Sequence, residues 1–224
     1  MPKSTLAVMD YGMGNLRSVA NAVRKVAPDC DVTVSSKPED ILKADRVIFP
    51  GVGAMRDCMK EIRAAGFDEL IGELSANKPM LAICVGMQAL LTRSAENNGV
   101  DCLNSFEGDV LLFPGGEDNN GRTLKVPHMG WNEVQQSRAH PLWNGIADGS
   151  RFYFVHSYYA ASRSASSAHT GVADSEVAAT CDYGVPFAAA IARGNVFGTQ
   201  FHPEKSHTHG LQLLENFVNW NGEC

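Results

Sequence analysis

The chemistry in this sequence begins at Cys84. It closes the apolar run Met80-Leu81-Ala82-Ile83, and Gly86 follows two residues later, ahead of the helix-compatible Met87-Gln88-Ala89-Leu90-Leu91. That order predicts a strand, a tight turn and a helix, with the thiol at the turn. A thiol held out at a strand end and facing the positive end of a helix is biased toward the nucleophilic thiolate. Glycine lets so tight a turn form without a Cβ clash. The same residues also suit a buried cysteine that ends a core strand, the usual place of a free cysteine. Choosing between the two requires a base.

A base stands far downstream. Asn195-Val196-Phe197-Gly198-Thr199-Gln200-Phe201 reads as a strand that runs into His202-Pro203-Glu204. Pro203 fixes its own φ and pushes His202 out of the helical region. His202 and Glu204 are two apart, so on an extended chain they point to the same side. A carboxylate beside an imidazole fixes its tautomer and stabilises the imidazolium that forms when a thiol proton is taken. In isolation His-x-Glu is more commonly a surface ion pair. Joined to a strand-end cysteine, it predicts nucleophile, base and orienter in Cys84, His202 and Glu204.

These side chains need a scaffold that sets two distant strand ends side by side. Leu6-Ala7-Val8-Met9 is a continuous apolar run, as expected of a strand buried in a parallel sheet. Leu16, Val19, Val23 and Val26 recur at helical spacing, and Asp31-Val32-Thr33-Val34 and Arg46-Val47-Ile48-Phe49 are further strands. Met55, Met59, Ile62, Leu70, Ile71 and Leu74 mark helical faces interrupted at Gly66. This rhythm predicts an α/β fold with a doubly wound, mostly parallel sheet flanked by helices. Active sites in such sheets gather at the carboxyl ends of strands, and Gly12, Gly51, Cys84 and His202 all follow predicted strand ends. After about Gly99 the pattern changes to an added antiparallel portion. Residues 106–113, 151–155 and 187–192 read as its strands, and 114–121 and 162–167 as polar loops. An amphipathic helix around Leu211, Leu214, Phe217 and Val218 closes the chain. No repeat or linker divides it, so residues 1–224 read as one domain.

Composition narrows the partners. Net charge is −6, from 19 basic and 25 acidic residues with no basic cluster, which argues against nucleic acid or an anionic membrane. With 44% hydrophobic residues among 224, the chain is long enough to bury a core without staples. No apolar run approaches the roughly 18 residues that span a bilayer. Met1-Pro2-Lys3-Ser4-Thr5 leads into the first strand with no visible signal segment. Six scattered cysteines form no Cys-x-x-Cys pair, so neither a zinc site nor a thioredoxin motif is suggested. They fit a reducing cytosol, and the five besides Cys84 read as core or surface thiols. His207-x-His209 lacks a third ligand, and His128, His140, His207 and His209 receive no role.

The combination of Cys84-x-Gly86-x-Gln88 with Phe201-His202-Pro203-Glu204 resembles the class I, or triad, glutamine amidotransferases. Within them the chain is similar to the glutaminase subunits of imidazole glycerol phosphate synthases. That similarity runs nearly end to end, through Asp10-Tyr11-Gly12-Met13-Gly14-Asn15-Leu16, Pro50-Gly51-Val52-Gly53, Pro127-His128-Met129-Gly130-Trp131-Asn132, Phe154-Val155-His156-Ser157-Tyr158-Tyr159 and Gln200 to Ser206. In sister families such as the anthranilate synthase glutaminases, the position of Met87 is more often histidine, and the Tyr-Gly-Met-Gly-Asn opening is lacking. Ala82 and Val85 stand where glycine and leucine are frequent, and Met55 where phenylalanine is common. These apolar swaps leave the backbone donor at Val85 intact.

The resemblance implies hydrolysis of L-glutamine to glutamate and ammonia by Cys84, His202 and Glu204. It implies oxyanion donors in the backbone N–H groups of Val85 and Val52. The Gly51-Val52-Gly53 loop also suits a plain turn, and its two glycines leave the Val52 peptide free to rotate, a means of gating activity by partner state. Gly51, Gln88, Glu96, His156, Ser157 and Tyr158 are implied to bind glutamine, although Glu96 also suits a solvated helix end. The implied partner is a (β/α)₈-barrel cyclase subunit, in a heterodimer. It uses the ammonia to make imidazole glycerol phosphate and AICAR in L-histidine biosynthesis. Asn15 and Trp131 are implied to lie near that interface, while a core position would suit Trp131 equally. The chemistry requires no metal or organic cofactor. Three alternatives stay open: a glutaminase for another acceptor such as chorismate, a non-catalytic binding module, and a cysteine peptidase of related fold.

Overall fold

In a computed structural model describing residues 3–117, 121, 123–164 and 171–223, the first half alternates strand and helix as its apolar runs predict. The order is β1 (Thr5–Met9), α1 (Leu16–Val26), β2 (Asp31–Ser35), α2 (Pro38–Lys43), β3 (Arg46–Gly51), α3 (Met55–Ala64), α4 (Phe67–Asn77), β4 (Met80–Cys84) and α5 (Val85–Ala89). Gly66 takes φ +67° between α3 and α4, a conformation that glycine adopts at no steric cost.

The second half supplies β5 (Arg93–Ser94), β6 (Val100–Asp101), β7 (Asp109–Leu112), β8 (His128–Glu133), β9 (Gln135–Gln136), β10 (Arg151–His156), β11 (Tyr158–Ala160), β12 (Val177–Asp182), β13 (Pro186–Arg193), β14 (Val196–Thr199) and α6 (His207–Asn219). The main sheet has eight strands in the order β2-β1-β3-β4-β14-β13-β12-β9. The first five are mutually parallel, and β13, β12 and β9 are added antiparallel. This is the predicted α/β sheet with its antiparallel extension. Two smaller sheets, β10-β8 and β11-β7-β5-β6, stand beside it.

Two expectations are corrected. The strand read over residues 106–113 forms only at β7, because Gly108 at φ +143° breaks the extended run. Phe106 is instead buried, with the Arg193 guanidinium 4.4 Å from its ring centroid. The strand read over residues 195–201 stops at Thr199, so a short loop precedes the imidazole. Of the two polar loops, residues 118–120 and 165–167 lie outside the described residues. No helix is long and apolar enough to cross a membrane among the described residues.

Candidate active site

β4 is buried at all five positions and sits between β3 and β14. Its register sets Gly51 opposite Cys84 and Thr199 opposite Ile83. Three strands therefore end together at the cysteine. Cys84 itself takes φ 54° and ψ −112°, a strained conformation for a residue with a Cβ, costing about 1–3 kcal/mol. Packing holds it there. A Cβ on Gly86 would collide with the Phe49 carbonyl oxygen, and one on Gly198 would lie 2.6 Å from Met87 Cγ. Glycine at those positions lets β3, α5 and β14 close tightly around the turn. The turn is the predicted elbow, but α5 is only five residues long, so the charge facing the sulfur comes mainly from His202.

His202 adopts the extended conformation that a following proline demands, at φ −100° and ψ 100°. Glu204 is not on an extended chain, as the spacing suggested. It lies in a 3-10 turn, Pro203–Lys205, that folds its carboxylate back onto the ring. Glu204 Oε1 is 2.9 Å from His202 Nδ1, and both side chains are almost fully buried. Nε2 is thereby left for the sulfur. Burial alone would lower the pKa of His202. The Cys84 sulfur and the Glu204 carboxylate outweigh it and raise the imidazole to about 10.

A second polar chain runs through the expected cavity residues Gln88, His156 and Tyr158 and on to Gln200, His128 and Asn132, to which the sequence gives no role in the site. Gln88 Nε2 donates to the Tyr158 carbonyl and to Gln200 Oε1, each at 2.8 Å. Gln200 Nε2 points at Cys84 Sγ, 3.7 Å away. His156 Nδ1 lies 2.8 Å from the Tyr158 carbonyl. A carbonyl only accepts, so His156 carries its proton on Nδ1 and its Nε2 accepts. His128 Nδ1, 3.0 Å from that Nε2, must then donate. His128 Nε2 is left to accept from Asn132 Nδ2 at 3.4 Å. Burial holds His128 at about 4 and His156 at about 3, so both rings are neutral. His128, read without a role, fixes the tautomer of a cavity residue.

Val52, Cys84, Val85, Gln88, Glu96, His156, Ser157, Tyr158 and His202 all line one cavity of about 420 Å³. Gly51 does not line it. Its backbone is pressed against α5, where a Cβ would meet Gly86 N and Val85 C. Glu96 is half-buried at the cavity edge rather than freely solvated, and its Oε2 accepts the Met55 N–H at 2.8 Å, capping α3. Asn15 Nδ2 approaches Glu204 Oε1 at 3.5 Å. Trp131 is not a core residue. It is 38% exposed, beside Met129 at 62%, and its ring stacks on His207 with centroids 5.1 Å apart. No cluster of three metal-ligating side chains occurs among the described residues.

Comparison with known proteins extends this picture to the whole chain. The family model described as glutamine amidotransferase class-I matches residues 7–220. Imidazole glycerol phosphate synthase subunit HisH 1 of Pseudomonas aeruginosa is 57% identical over 218 residues, 97% of this chain and 98% of that one. The subunit HisH of Acinetobacter baylyi is 56% identical over 217 residues, 96% and 98% of the two chains. Among solved structures, a glutamine amidotransferase aligns with TM-score 0.68 at 16% identity over 96% of this chain and 97% of its own. PurLQS of Thermotoga maritima aligns with TM-score 0.67 at 17% identity, covering 97% and 99%. At such identities the structures speak for the fold alone.

Proposed function

The chain belongs to the class-I glutamine amidotransferase family, and from that premise we propose that it is the glutaminase subunit of an imidazole glycerol phosphate synthase. It hydrolyses L-glutamine to glutamate and ammonia and delivers the ammonia for histidine biosynthesis. The observation that carries the chemistry is the buried His202–Glu204 pair at 2.9 Å, sharing a cavity with a cysteine held in a strained turn.

Cys84 Sγ attacks the side-chain amide carbon of glutamine, and His202 Nε2 holds the thiol proton. The carbonyl oxygen becomes an oxyanion within reach of the Val85 and Val52 backbone N–H groups. In comparable sites one such donor is worth about 3–4 kcal/mol. The intermediate collapses as His202 returns its proton to the nitrogen, which leaves as ammonia and yields a glutamyl thioester. Water, deprotonated by His202, attacks the thioester. A second oxyanion collapses to glutamate, and the thiol is restored. Glu204 keeps Nδ1 protonated throughout, so Nε2 always faces the reaction.

Gln88 gives both amide hydrogens to the protein, which leaves its carbonyl oxygen to accept from the substrate. Glu96 offers the α-ammonium a carboxylate at the cavity edge, and His156, Ser157 and Tyr158 supply the facing wall. The partner is a (β/α)₈-barrel cyclase seated on the face that exposes Trp131 and Met129, with Asn15 at the edge nearest Glu204. Trp131 has the amphipathic ring typical of interface anchors. The relatives' names favour this acceptor chemistry over the chorismate-using alternative. Glutamate production, measured for the chain alone and with a cognate cyclase carrying its nucleotide ligand, tests the reading. Strong stimulation that Cys84→Ala abolishes is the expected result. Activity surviving Cys84→Ala overturns the nucleophile, and no response to an active cyclase overturns the partner.

A further inference from the structure

The Gly51-Val52-Gly53 loop is held from behind at two carbonyls. The Tyr11 hydroxyl donates to the Pro50 carbonyl at 2.7 Å. The Cys58 thiol donates to the Val52 carbonyl at 3.3 Å. Those carbonyls belong to the two peptides on either side of the Gly51–Val52 peptide, which carries the Val52 N–H. The two donors approach from different elements, Tyr11 from the turn after β1 and Cys58 from the first turns of α3. Both are buried, and neither enters the mechanism above. Burial pushes the Tyr11 hydroxyl well above its ordinary range and the Cys58 thiol up to about 12. Each therefore keeps the one hydrogen it has to give. A Cβ on Gly51 would meet Tyr11 Oη at 2.9 Å, so the hydroxyl lies directly beneath the loop.

We propose that Tyr11 and Cys58 are positioning residues for the oxyanion hole: they fix the peptides flanking Gly51–Val52, so that this one peptide alone sets the direction of the Val52 N–H. The proposal rests on the oxyanion role of Val52 given above. A peptide held on both sides moves only by turning as a unit. With either donor removed, a neighbouring carbonyl is free to swing toward the cavity, where it repels the developing oxyanion. The loss falls on the transition state and leaves substrate binding in place, so it belongs in kcat and not in KM.

The test is steady-state glutaminase kinetics in the complex with the cyclase. Tyr11→Phe is expected to lower kcat roughly tenfold and Cys58→Ala roughly threefold, with KM within about twofold, the scale of one hydrogen bond each. Cys58→Ser, which keeps a donor, recovers most of the loss. The double variant Tyr11→Phe/Cys58→Ala loses less than the product of the single losses, because both act on one loop. Alkylation of Cys84 by iodoacetamide proceeds at the wild-type rate in every variant, since the elbow is untouched. Unchanged kcat in Tyr11→Phe overturns the proposal, as does a serine variant no better than alanine or a loss confined to KM. Should Cys58→Ala not fold, Tyr11→Phe decides alone. A wild-type complex that makes no glutamate, or an active Cys84→Ala, would instead overturn the functional reading, so the two failures are distinct.

Discussion

At the scale of the residue, Glu204 is the most exacting position in the site. One carboxylate oxygen binds His202 Nδ1, and the other is buried without a partner among the described residues. Leaving an acceptor unpaired in a buried place costs about 1–3 kcal/mol, and the return is a fixed imidazole. Glu204→Gln removes the charge and can present N–H to the ring, favouring the wrong tautomer. The glutaminase kcat of this variant is expected to fall by at least about a hundredfold. The pH dependence has a definite sign. His202 keeps its proton to about 10 in the folded chain against 6.5 ordinarily. Its stabilisation is therefore complete below pH 6.5 and fades as pH rises through about 10. Thermal melts of wild type and Glu204→Gln should differ most at or just below pH 6.5 and converge above pH 10. A difference that grows with pH would contradict the assignment.

At the scale of the element, the elbow depends on strand–helix closeness more than on turn chemistry. Gly86→Ala places a methyl group against the Phe49 carbonyl, which is backbone and unable to move aside. A loss of about 2–3 kcal/mol is expected, read as a lowered urea midpoint at unchanged slope. Gly12→Ala, at φ +83° with nothing among the described residues within 4 Å, should cost only about 1 kcal/mol through conformation. Equal costs at the two positions would sink the packing account. The elements that were legible in the sequence share one physical cause. β1, β3 and β4 lie inside a parallel sheet and so read as unbroken apolar runs, and Gly66 marks a break that glycine alone adopts cheaply. Two-residue strands such as β5, β6 and β9 carry no period of their own and exist only through pairing. The site divides in the same way. The sequence proposes Cys84, His202 and Glu204 because the chemistry asks for those types, and the structure brings them to one place. Gln200 lies 116 residues from the sulfur it faces, and the parts played by Tyr11, Cys58 and His128 come from contacts between elements with no spacing signal. Glu204 was found by type, but its 3-10 turn was not, because proline restricts the residue before it and leaves the backbone after it open.

At the scale of the whole molecule, three buried neutral imidazoles among the described residues set the acid limit of the fold. His156 lines the cavity and is hydrogen-bonded to His128 behind it. His140 lies elsewhere, packed against Phe197 and Trp220, with Nδ1 accepting from Leu142 N and Nε2 unpartnered among the described residues. Burial lowers them to about 4, about 3 and, for His140, about 4. Each group binds its proton in the unfolded chain near 6.5 but in the folded chain only far below, so stability is present above pH 6.5 and drains as pH falls. Three such protons give a slope of about 4 kcal/mol per pH unit around pH 5. A typical domain's 5–15 kcal/mol is exhausted within a few units at that rate. Unfolding free energies from urea titrations should therefore fall steeply between pH 6.5 and 4, before most carboxylates titrate. His140→Gln, which removes one titrating ring remote from the cavity, should reduce that slope by about a third whatever it does to absolute stability. A slope that is flat from pH 7 to 5, or unmoved by His140→Gln, would mean that the three rings take up protons in the native fold and that burial does not keep them neutral.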